Sequence, residues 1–363
     1  MADPCPFPFV QSVMEQKKPA ITSTLRHGAH TSIGSRRAQE DAWMKAEFTG
    51  GDDTTYTCFT VLDGHGGRGA VDFVRATLHT YLQEEVQKGL VLSAALDAAY
   101  RRVDLAFRAA WRTSAPAVAV TAAAAAAATS SPPSGAPTEE RQQQPPPDRP
   151  AVLHGASSRS VAHAGEHSYP TSPGTTAVTL VVERRGAAAK WHVAWVGDSR
   201  CYIVDAKGAV EQTRDHRPDD AVESRRIEGV GGHVEAKRVN GYLAMSRAIG
   251  DLHYKRKDIA DDAKQMVTCV PSYLSGTVAG ESVMVLATDG LYDLPGTPVE
   301  AALSGKRCDG IAVEVRAAIA KTKEWNSDGI LGALAIRLVE DAGARGSGDN
   351  ATAVVVGITS CAA

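Results

Sequence analysis

The chain lacks any run of about 18 consecutive apolar residues, the length that a membrane-spanning helix requires. Its first ten residues, MADPCPFPFV, contain no basic segment leading into a sustained apolar one, so they do not resemble a secretory signal peptide. These absences predict a protein that is neither secreted nor embedded in a membrane, and no membrane partner is expected.

Cysteine is sparse and unpatterned. The six cysteines form no CxxC pair and no zinc-finger spacing. Cys58 and Cys201 lie within apolar runs, as small hydrophobic residues do. The sequence therefore indicates a reducing compartment, which we expect to be the cytoplasm, with the nucleus as the alternative.

Positive charge and aromatic residues are also scarce. The net charge is -3 and aromatic residues make up 6% of the chain. Nucleic-acid binding needs clustered Lys and Arg, and single strands need stacking aromatics as well. No nucleic-acid partner is therefore expected. The 43% hydrophobic and 22% charged composition is that of a globular protein with a sizeable core.

Large aliphatic residues nearly disappear from residue 112 to residue 172. This segment has seven consecutive alanines at 122–128, then SSPPSGAP and RQQQPPPDRP. Such a composition buries too little apolar surface to offset the entropy of ordering, so we predict a disordered insertion that is a candidate for recruiting a partner. The alanine run alone is too short for a stable helix. Residues 1–22 and 359–363 are predicted as tails.

Hydrophobic periodicity predicts four helices, at 69–82, 92–111, 311–320 and 330–339. Continuous apolar runs predict strands at 58–62, 176–183, 191–196, 282–288 and 351–358. The Gly-Asp-Ser at 197–199 lies between WHVAWV and RCYIVDA, which is typical of a hairpin with a tight turn.

Carboxylates stand at the ends of several predicted strands. Asp63 and Asp289 each follow an apolar run, Asp349 precedes another, and Asp198 lies in the Gly-Asp-Ser turn. Strand ends that converge would bring these charges together, and they would repel unless a cation lay between them. Oxygen ligands without His or Cys clusters favour Mg²⁺ or Mn²⁺ over zinc.

Nine short motifs follow one another along the chain. They are GSRRAQEDA (34–42), VLDGHGG (61–67), GTTAV (174–178), WVGDSRCYIV (195–204), TRDHRPDD (213–220), ESRRIEGVGGHV (223–234), RVNGYLAMSRAIGD (238–251), LATDGLYD (286–293) and GSGDNATAVVV (346–356). In this order they resemble the metal-dependent serine/threonine protein phosphatases of type 2C. The resemblance covers residues 23–358, apart from the insertion.

The resemblance implies an α/β sandwich in which two central antiparallel β-sheets pack face to face, flanked by α-helices on both sides. It also implies a site for two Mg²⁺ or Mn²⁺ ions at one end of the sandwich. In that site Asp63 bridges both ions, the Gly64 carbonyl contacts one, Asp289 and Asp349 bind the other, and Glu40, beside Asp41, acts through a bound water.

Four further roles follow from the same resemblance. Asp198 and Asp293 match positions associated with a weaker third metal ion, Arg36 matches the arginine that binds substrate phosphate, and His65 matches the histidine proposed as general acid. Two ions about 3.5–4 Å apart generate a bridging hydroxide that attacks phosphorus directly, so no phosphoenzyme is needed. A guanidinium suits bidentate phosphate binding, and an imidazole can protonate a leaving alkoxide.

Simpler interpretations stand beside several of these roles. Asp198 is also an ordinary turn residue, and His65 is also a residue that holds the loop by hydrogen bonding. Of Arg36 and Arg37, one is a solvated surface charge; Arg36 is preferred because it stands four residues before Glu40, as in the family. His216 is interpreted as a structural histidine.

Two departures from the family pattern bear on packing and on specificity. Tyr292 stands where Trp is usual, which changes packing and not metal ligation. Val270 stands before Pro271, where the family often has Glu, in the variable flap at 252–272. Substrate preference is therefore left open.

Three classes of function were compared. The sequence favours a phosphatase that acts as a monomer on phosphoprotein substrates in signalling. The main alternative is a catalytically weak phosphatase fold that serves as a binding or regulatory module, but such a module should lose metal carboxylates, and Asp63, Asp289 and Asp349 are all present. The third class is a different two-metal hydrolase, such as a nuclease or a phosphodiesterase, which should show a basic groove with stacking aromatics; the composition disfavours it.

Overall fold

A computed structural model describes residues 23–51, 53–127, 172–205, 210–278, 280–293, 315, 317 and 326–360. The predicted N-terminal tail, most of the insertion and most of the predicted helix at 311–320 lie outside these ranges. The chain divides into two units, one of Met1–Arg108 with Thr171–Ala363 and the other of Ala109–Pro170. Both large sheets and the candidate site belong to the first unit.

The first large sheet contains five antiparallel strands in the order β1-β15-β14-β8-β9. Their bounds are β1 Thr24–Ser32, β15 Ala351–Ser360, β14 Gly280–Ala287, β8 Arg200–Val204 and β9 Val210–Gln212. The central strands β14 and β15 are buried along most of their length, which explains why both appear in the sequence as continuous apolar runs.

The second large sheet has the order β13-β7-β6-β3-β2 and is also antiparallel. Its strands are β13 Ser272–Thr277, β7 Ala188–Val196, β6 Ala177–Arg185, β3 Thr55–Leu62 and β2 Ala42–Thr49. The strands β6 and β7 form a hairpin at Gly186, whose positive φ of 58° favours glycine.

Two small sheets complete the strand inventory of the described residues. One pairs β12 Ile249–Gly250 and β4 Gly64–His65 with the central strand β5 Gly174–Thr175. The other pairs β10 Val234–Glu235 with β11 Arg238–Val239.

The two large sheets pack face to face, and alternate residues of each strand point to opposite faces. Phe59, Met284 and Val356 pack in the core between the sheets. Their neighbours Cys58 and Val283 point outward, towards the helices. The sandwich predicted from the resemblance is therefore confirmed.

Helices cover both outer faces of the sandwich. Helices α1 (Gly69–Gln87) and α2 (Leu92–Ala127) begin close to the positions that periodicity predicts, and their residues Val74, Leu78, Leu96 and Tyr100 pack on the second sheet. Helix α4 (Asp328–Ala344) packs Leu331, Leu334 and Leu338 on the first sheet, as the periodicity at 330–339 predicts. Helix α3 (Ala221–Gly229) lies between β9 and β10 in the chain. Within the described residues, no helix is long and apolar enough to cross a membrane.

The predicted hairpin around Gly-Asp-Ser is wrong. Strand β7 pairs with β6 and β13 in the second sheet, whereas β8 pairs with β14 and β9 in the first. The turn therefore carries the chain from one sheet to the other. Gly, Asp and Ser indicate a turn, but the apolar strands on its two sides can either pair with each other or belong to different sheets. The local sequence does not decide between these two arrangements.

Helix α2 continues to Ala127, well past residue 112 where the composition changes. Among the side chains of α2 that the structure describes, which end at residue 113, the last in the core is Phe107. The division of the chain at Ala109 agrees with a boundary of the domain near this point. Disorder of the remaining insertion stays a prediction.

Candidate active site

A cavity of about 440 Å³ brings together the carboxylates that the sequence places at strand ends. Asp63 follows β3 in the second sheet, Asp289 follows β14, and Asp349 precedes β15. Since β14 and β15 are antiparallel neighbours, the end of one and the start of the other meet at one edge. All three carboxylates line this cavity, so their predicted convergence is confirmed, whereas Asp198, the fourth carboxylate of that prediction, does not line it. We refer to it as the carboxylate cavity.

Asp63 and Asp289 both line the cavity, and the charge of Asp289 acts on the carboxyl group of Asp63. Burial raises the pKa of both carboxyl groups well above the usual range, and neighbouring carboxylates raise the pKa further. Two neighbouring carboxylates repel each other unless a proton or a cation neutralises part of their charge. A divalent cation would take the place of that proton.

Asp41 has one satisfied and one unsatisfied carboxylate oxygen. Its Oδ2 accepts hydrogen bonds from the hydroxyls of Thr288 at 2.9 Å and Thr352 at 2.8 Å. Its Oδ1 is buried and has no hydrogen-bond partner within the described residues. Burial raises the pKa of Asp41 to about 6, despite the two hydroxyl donors.

Asp198 shows the same pattern at the turn between the sheets. Its Oδ1 is buried and finds no hydrogen-bond partner in the part of the chain that the structure describes. Burial, followed by the charge of Asp215, raises the pKa of Asp198 to about 6. Buried oxygens without donors are what a cation would satisfy, so this donor set fits Mg²⁺ or Mn²⁺.

Glu40 and Gly64 lie beside Asp63. Glu40 Oε1 accepts from the backbone N–H of Gly67 at 2.7 Å, which fixes the glycine-rich loop that follows Asp63. A Cβ at Gly64 would lie 2.4 Å from Cγ2 of Val71, so only glycine allows this close approach of the backbone.

Arg36 lines the carboxylate cavity and forms an ion pair with Asp349, at 2.5 Å between Nη2 and Oδ2. The predicted phosphate ligand therefore contacts a predicted metal ligand. Arg36 is 58% exposed and has N–H donors left to bind an anion. Arg37 lines the same cavity, so position alone does not decide which of the two arginines binds phosphate.

His65 also lines the cavity and contacts a residue to which the sequence analysis gives no role. Its Nε2 lies 2.8 Å and 3.0 Å from the two carboxylate oxygens of Asp251. Burial lowers the pKa of His65, but the charge and hydrogen bond of Asp251 outweigh it, and the net pKa is raised. Asp251 is the last residue of the quoted motif RVNGYLAMSRAIGD, and the sequence alone does not show what it faces.

The two residues predicted for a third ion do not line the cavity, but they lie close to it. The charges of Asp198 and Asp293 both raise the pKa of Asp289. Asp293 is exposed, and its backbone N–H donates to the Asp289 carbonyl at 2.7 Å.

Tyr292 has a role that the sequence did not reveal. Its hydroxyl donates a hydrogen bond to the backbone carbonyl of Asp198. The guanidinium of Arg200 stacks on its ring at 4.0 Å and binds Asp215 through two nitrogens, at 2.7 Å and 2.8 Å. The aromatic residue at this position thus helps to hold the turn that carries Asp198.

Asn350 is a second residue that the sequence analysis missed. Its Oδ1 accepts from the backbone N–H of Glu40 at 2.8 Å, and its Nδ2 donates to the carbonyls of Ile33 and Ala38. It therefore ties the loop that carries Arg36 and Glu40 to the start of β15. Its place directly after Asp349 in the last motif was the only sequence signal.

His216 is structural, as predicted. Its Nδ1 accepts from the backbone N–H of Gly197 at 3.2 Å, and its Nε2 is 2.8 Å from the hydroxyl of Ser272. It stacks on Trp195 with the ring planes 15° apart. Burial, followed by the charge of Arg247, lowers the pKa of His216 to about 3, so the ring is neutral.

A second cluster, formed by Asp104, Asp262 and Cys269, also has ligand-type atoms close together. Lys255 and Arg108 bind Asp104 at 2.5 Å and 2.6 Å, and Arg108 also binds Asp262. These cations already balance the two carboxylates, so the cluster is a buried ion-pair network and not a metal site.

The fold and the carboxylate cavity agree with the resemblance to the type 2C phosphatases, and comparison with known proteins places the chain in that family. The family model for protein phosphatase 2C matches residues 142–296. The "Probable protein phosphatase 2C 21" of Arabidopsis thaliana is 32% identical over 276 residues, covering 74% of this chain and 72% of the relative. The protein of the same name from Oryza sativa subsp. japonica is 30% identical over 273 residues, covering 74% and 69%.

Solved structures show the same fold. A phosphatase from Toxoplasma gondii superimposes with a TM-score of 0.63 at 18% identity, covering 92% of this chain and 94% of the other. A sex-determining protein of C. elegans gives a TM-score of 0.59 at 20% identity, covering 92% and 64%. The chain belongs to the protein phosphatase 2C family and is a metal-dependent protein serine/threonine phosphatase.

Proposed function

We propose that the carboxylate cavity binds two divalent cations, Mg²⁺ or Mn²⁺, and that phosphoserine and phosphothreonine of protein substrates are hydrolysed there without a phosphoenzyme. The observation that carries this proposal is the meeting of Asp63, Asp289 and Asp349 in one cavity that also presents Arg36 and His65. A binding module without activity has no need to keep this set of carboxylates together.

The residues that would hold the cations are those predicted from the sequence. Asp63, the Gly64 carbonyl, Asp289 and Asp349 would be ligands, and Glu40 would act through water. Asp198 and Asp293 would hold a weaker third ion. When bound, two such ions activate a water for attack on phosphorus and neutralise the charge that develops there.

Two side chains would handle the rest of the reaction. Arg36 uses one nitrogen to bind Asp349, and its remaining N–H groups can bind the phosphate oxygens of the substrate. His65, at the wall of the cavity, would protonate the alkoxide of serine or threonine as it leaves.

The metal requirement is tested by depleting the enzyme of divalent ions. A phosphothreonine peptide should not be hydrolysed in EDTA. Hydrolysis should return when Mn²⁺ or Mg²⁺ is added in excess, because every proposed ligand atom is an oxygen and these cations prefer oxygen ligands. Full turnover after exhaustive EDTA treatment would refute the metal mechanism.

The acid role of His65 is tested with two leaving groups. A serine or threonine alkoxide leaves poorly without a proton, whereas the phenolate of p-nitrophenyl phosphate leaves with little help. His65→Gln should therefore lower kcat for a phosphothreonine peptide by about 10²–10⁴-fold and affect the nitrophenyl ester far less. Equal losses would assign His65 to loop structure only.

Four further proposals concern the whole protein. The chain would act as a monomer in the cytoplasm, in signalling, and the insertion at 112–172 would recruit a partner. Size-exclusion chromatography with light scattering measures the first of these directly, and a mass near 38.2 kDa is expected.

A further inference from the structure

We propose that Asp251 is the positioning residue of His65: it holds Nε2 of the imidazole, so that Nδ1 is the nitrogen that gives the proton to the leaving group. This inference rests on the proposed acid role of His65.

The three-stranded sheet around β5 brings the two residues together. Gly174 in β5 lies opposite His65 of β4 on one side and opposite Gly250 of β12 on the other. A Cβ at Gly174 would lie 2.2 Å from Oδ2 of Asp251 and 2.5 Å from Nε2 of His65. The imidazole and the carboxylate therefore meet in the space that this glycine leaves open.

The backbone of Asp251 is held in an uncommon conformation. Its φ and ψ are 51° and 46°, in the left-handed region that residues other than glycine seldom adopt. Its N–H donates to the carbonyl of Pro173 at 3.1 Å. Such a conformation persists where the surroundings enforce it, and it often accompanies a functional site.

The surroundings of Asp251 anchor it on both sides. The preceding Gly250 N–H donates to Oδ1 of Asp104 at 2.9 Å, and the following Leu252 N–H donates to the hydroxyl of Ser172 at 2.6 Å. Asp104 also binds Lys255 at 2.5 Å, and both of these side chains are 1% exposed. The buried ion-pair network thus fixes the segment that carries Asp251.

The carboxylate of Asp251 is 2% exposed, while His65 is 31% exposed. Within the described residues, His65 is the one side chain that hydrogen-bonds this carboxylate. A buried charge is costly unless a partner compensates it. Fold stability alone would not select a partner that is itself partly exposed at the wall of the active site.

This contact decides which nitrogen faces the substrate. Because Nε2 donates its hydrogen to Asp251, Nδ1 is the ring nitrogen left for the cavity. When the P–O bond to serine or threonine breaks, its electron pair goes to the leaving oxygen, which takes the proton from Nδ1. The ring then becomes neutral with its Nε2–H still on Asp251, and solvent returns the lost proton. A carboxylate that fixes the tautomer of a catalytic histidine in this way has a known parallel in hydrolytic triads.

A double-mutant cycle with two substrates tests the inference. The variants are Asp251→Asn, His65→Gln and both together, each assayed in Mn²⁺ with a phosphothreonine peptide and with p-nitrophenyl phosphate. Asparagine suits the left-handed backbone, so the substitution preserves the local conformation. Asp251→Asn should lower kcat for the peptide by about 10²-fold and for the nitrophenyl ester far less, since it acts only on proton donation.

The decisive comparison is in the His65→Gln background. If Asp251 acts through His65, then adding Asp251→Asn to His65→Gln should cause no further loss with either substrate. Asp258→Asn is the matched control, since Asp258 lies in the flap that begins directly after Asp251, is 65% exposed and should leave both activities unchanged. Thermal unfolding of each variant reports on folding.

Gly174→Ala offers an independent perturbation of the same contact, because its Cβ would displace the pair. It should show the same selective loss with the peptide. Losses that are equal for the two substrates, or that add in the double variant, would show that Asp251 has only a structural role. If His65→Gln itself slows both substrates equally, then the acid role in the proposed function is wrong, and the inference is wrong with it.

Discussion

Asp41→Asn should stabilise the metal-free protein at neutral pH, although it removes a buried carboxylate beside the proposed metal ligand Glu40. Asp41 is 3% exposed, and its Oδ1 has no hydrogen-bond partner within the described residues. Without a cation, the fold holds a buried carboxylate that its surroundings compensate incompletely. An amide of the same shape removes that charge and can keep its oxygen towards the hydroxyls of Thr288 and Thr352.

The pKa of Asp41 sets the size of the effect. A pKa of about 6 in the folded protein, against the usual 3.8, corresponds to about 3 kcal/mol of destabilisation at pH 7.5. The new amide N–H group faces the position without a partner, which costs about 1–2 kcal/mol. The net gain in the free energy of unfolding is therefore about 1–2 kcal/mol at pH 7.5.

The sign of the pH dependence follows from the raised pKa. Below about pH 4 the carboxyl is protonated in both the folded and the unfolded state, so it costs nothing. As the pH rises from about 4 to about 6, the unfolded chain ionises first and the folded state loses stability relative to it. At pH 5 the penalty is about half its full value, so variant and wild type should be nearly equal in stability.

Urea unfolding in EDTA at pH 5 and pH 7.5 measures this difference. Asp328→Asn, at an exposed carboxylate in the first turn of α4, serves as the control. Adding Mn²⁺ at pH 7.5 should reverse the order and stabilise the wild type more than Asp41→Asn. A variant that is less stable than the wild type in EDTA at pH 7.5, or a difference that does not change with pH, would refute this reasoning.

Three other predictions follow from the same structure. Glu223 is buried and binds Arg226 at 2.7 Å and Arg247 at 2.6 Å. Glu223→Gln should therefore lower the free energy of unfolding, measured in urea at pH 7, by about 3 kcal/mol. Glu228→Gln, at an exposed position, is the control. Burial raises the pKa of Glu223, but the hydrogen bond from Arg247 and the charges of both arginines outweigh it and lower the pKa to about 2. The loss of stability in Glu223→Gln should therefore shrink as the pH falls below about 4. A loss that is independent of pH would point to packing instead. Tyr292→Phe removes the hydroxyl that is bound to the Asp198 carbonyl. In calorimetry, the Mn²⁺ ion with the lowest affinity should then bind about 3–10-fold less tightly. An unchanged isotherm would mean that the hydroxyl does not position Asp198. Deleting residues 115–168 should leave turnover of a phosphopeptide nearly unchanged, because Phe107 is the last core residue among the described side chains of α2 and closure entropy grows slowly with loop length. An unfolded deletion variant would show that the segment docks on the domain.

The sequence predicts most of the carboxylate cavity because its residues stand at the ends of buried strands. The apolar runs before Asp63 and Asp289 and after Asp349 are strong signals, since β3, β14 and β15 are buried on both faces. The edge strands β1 and β13 were not predicted, because they are half-exposed and contain few apolar residues.

What the sequence could not predict depends on contacts between distant segments. The turn at Asp198 joins two different sheets, and only the pairing of β8 with β14 shows this. The contact between His65 and Asp251 joins residues 186 positions apart across a glycine. The sequence around His65 does not indicate Asp251 as its hydrogen-bond partner, and the sequence around Asp251 does not indicate His65.

The most direct test of the central claim is Mn²⁺ binding and turnover by Asp63→Asn, beside the wild type. Calorimetry on the wild type should show at least two Mn²⁺ ions per chain, and a phosphothreonine peptide should be hydrolysed in Mn²⁺. Asp63→Asn should keep its fold by circular dichroism, lose the tight binding of both ions and lose turnover, because one carboxylate is proposed to bridge them. A folded Asp63→Asn variant that binds Mn²⁺ like the wild type and still hydrolyses the peptide would contradict the account.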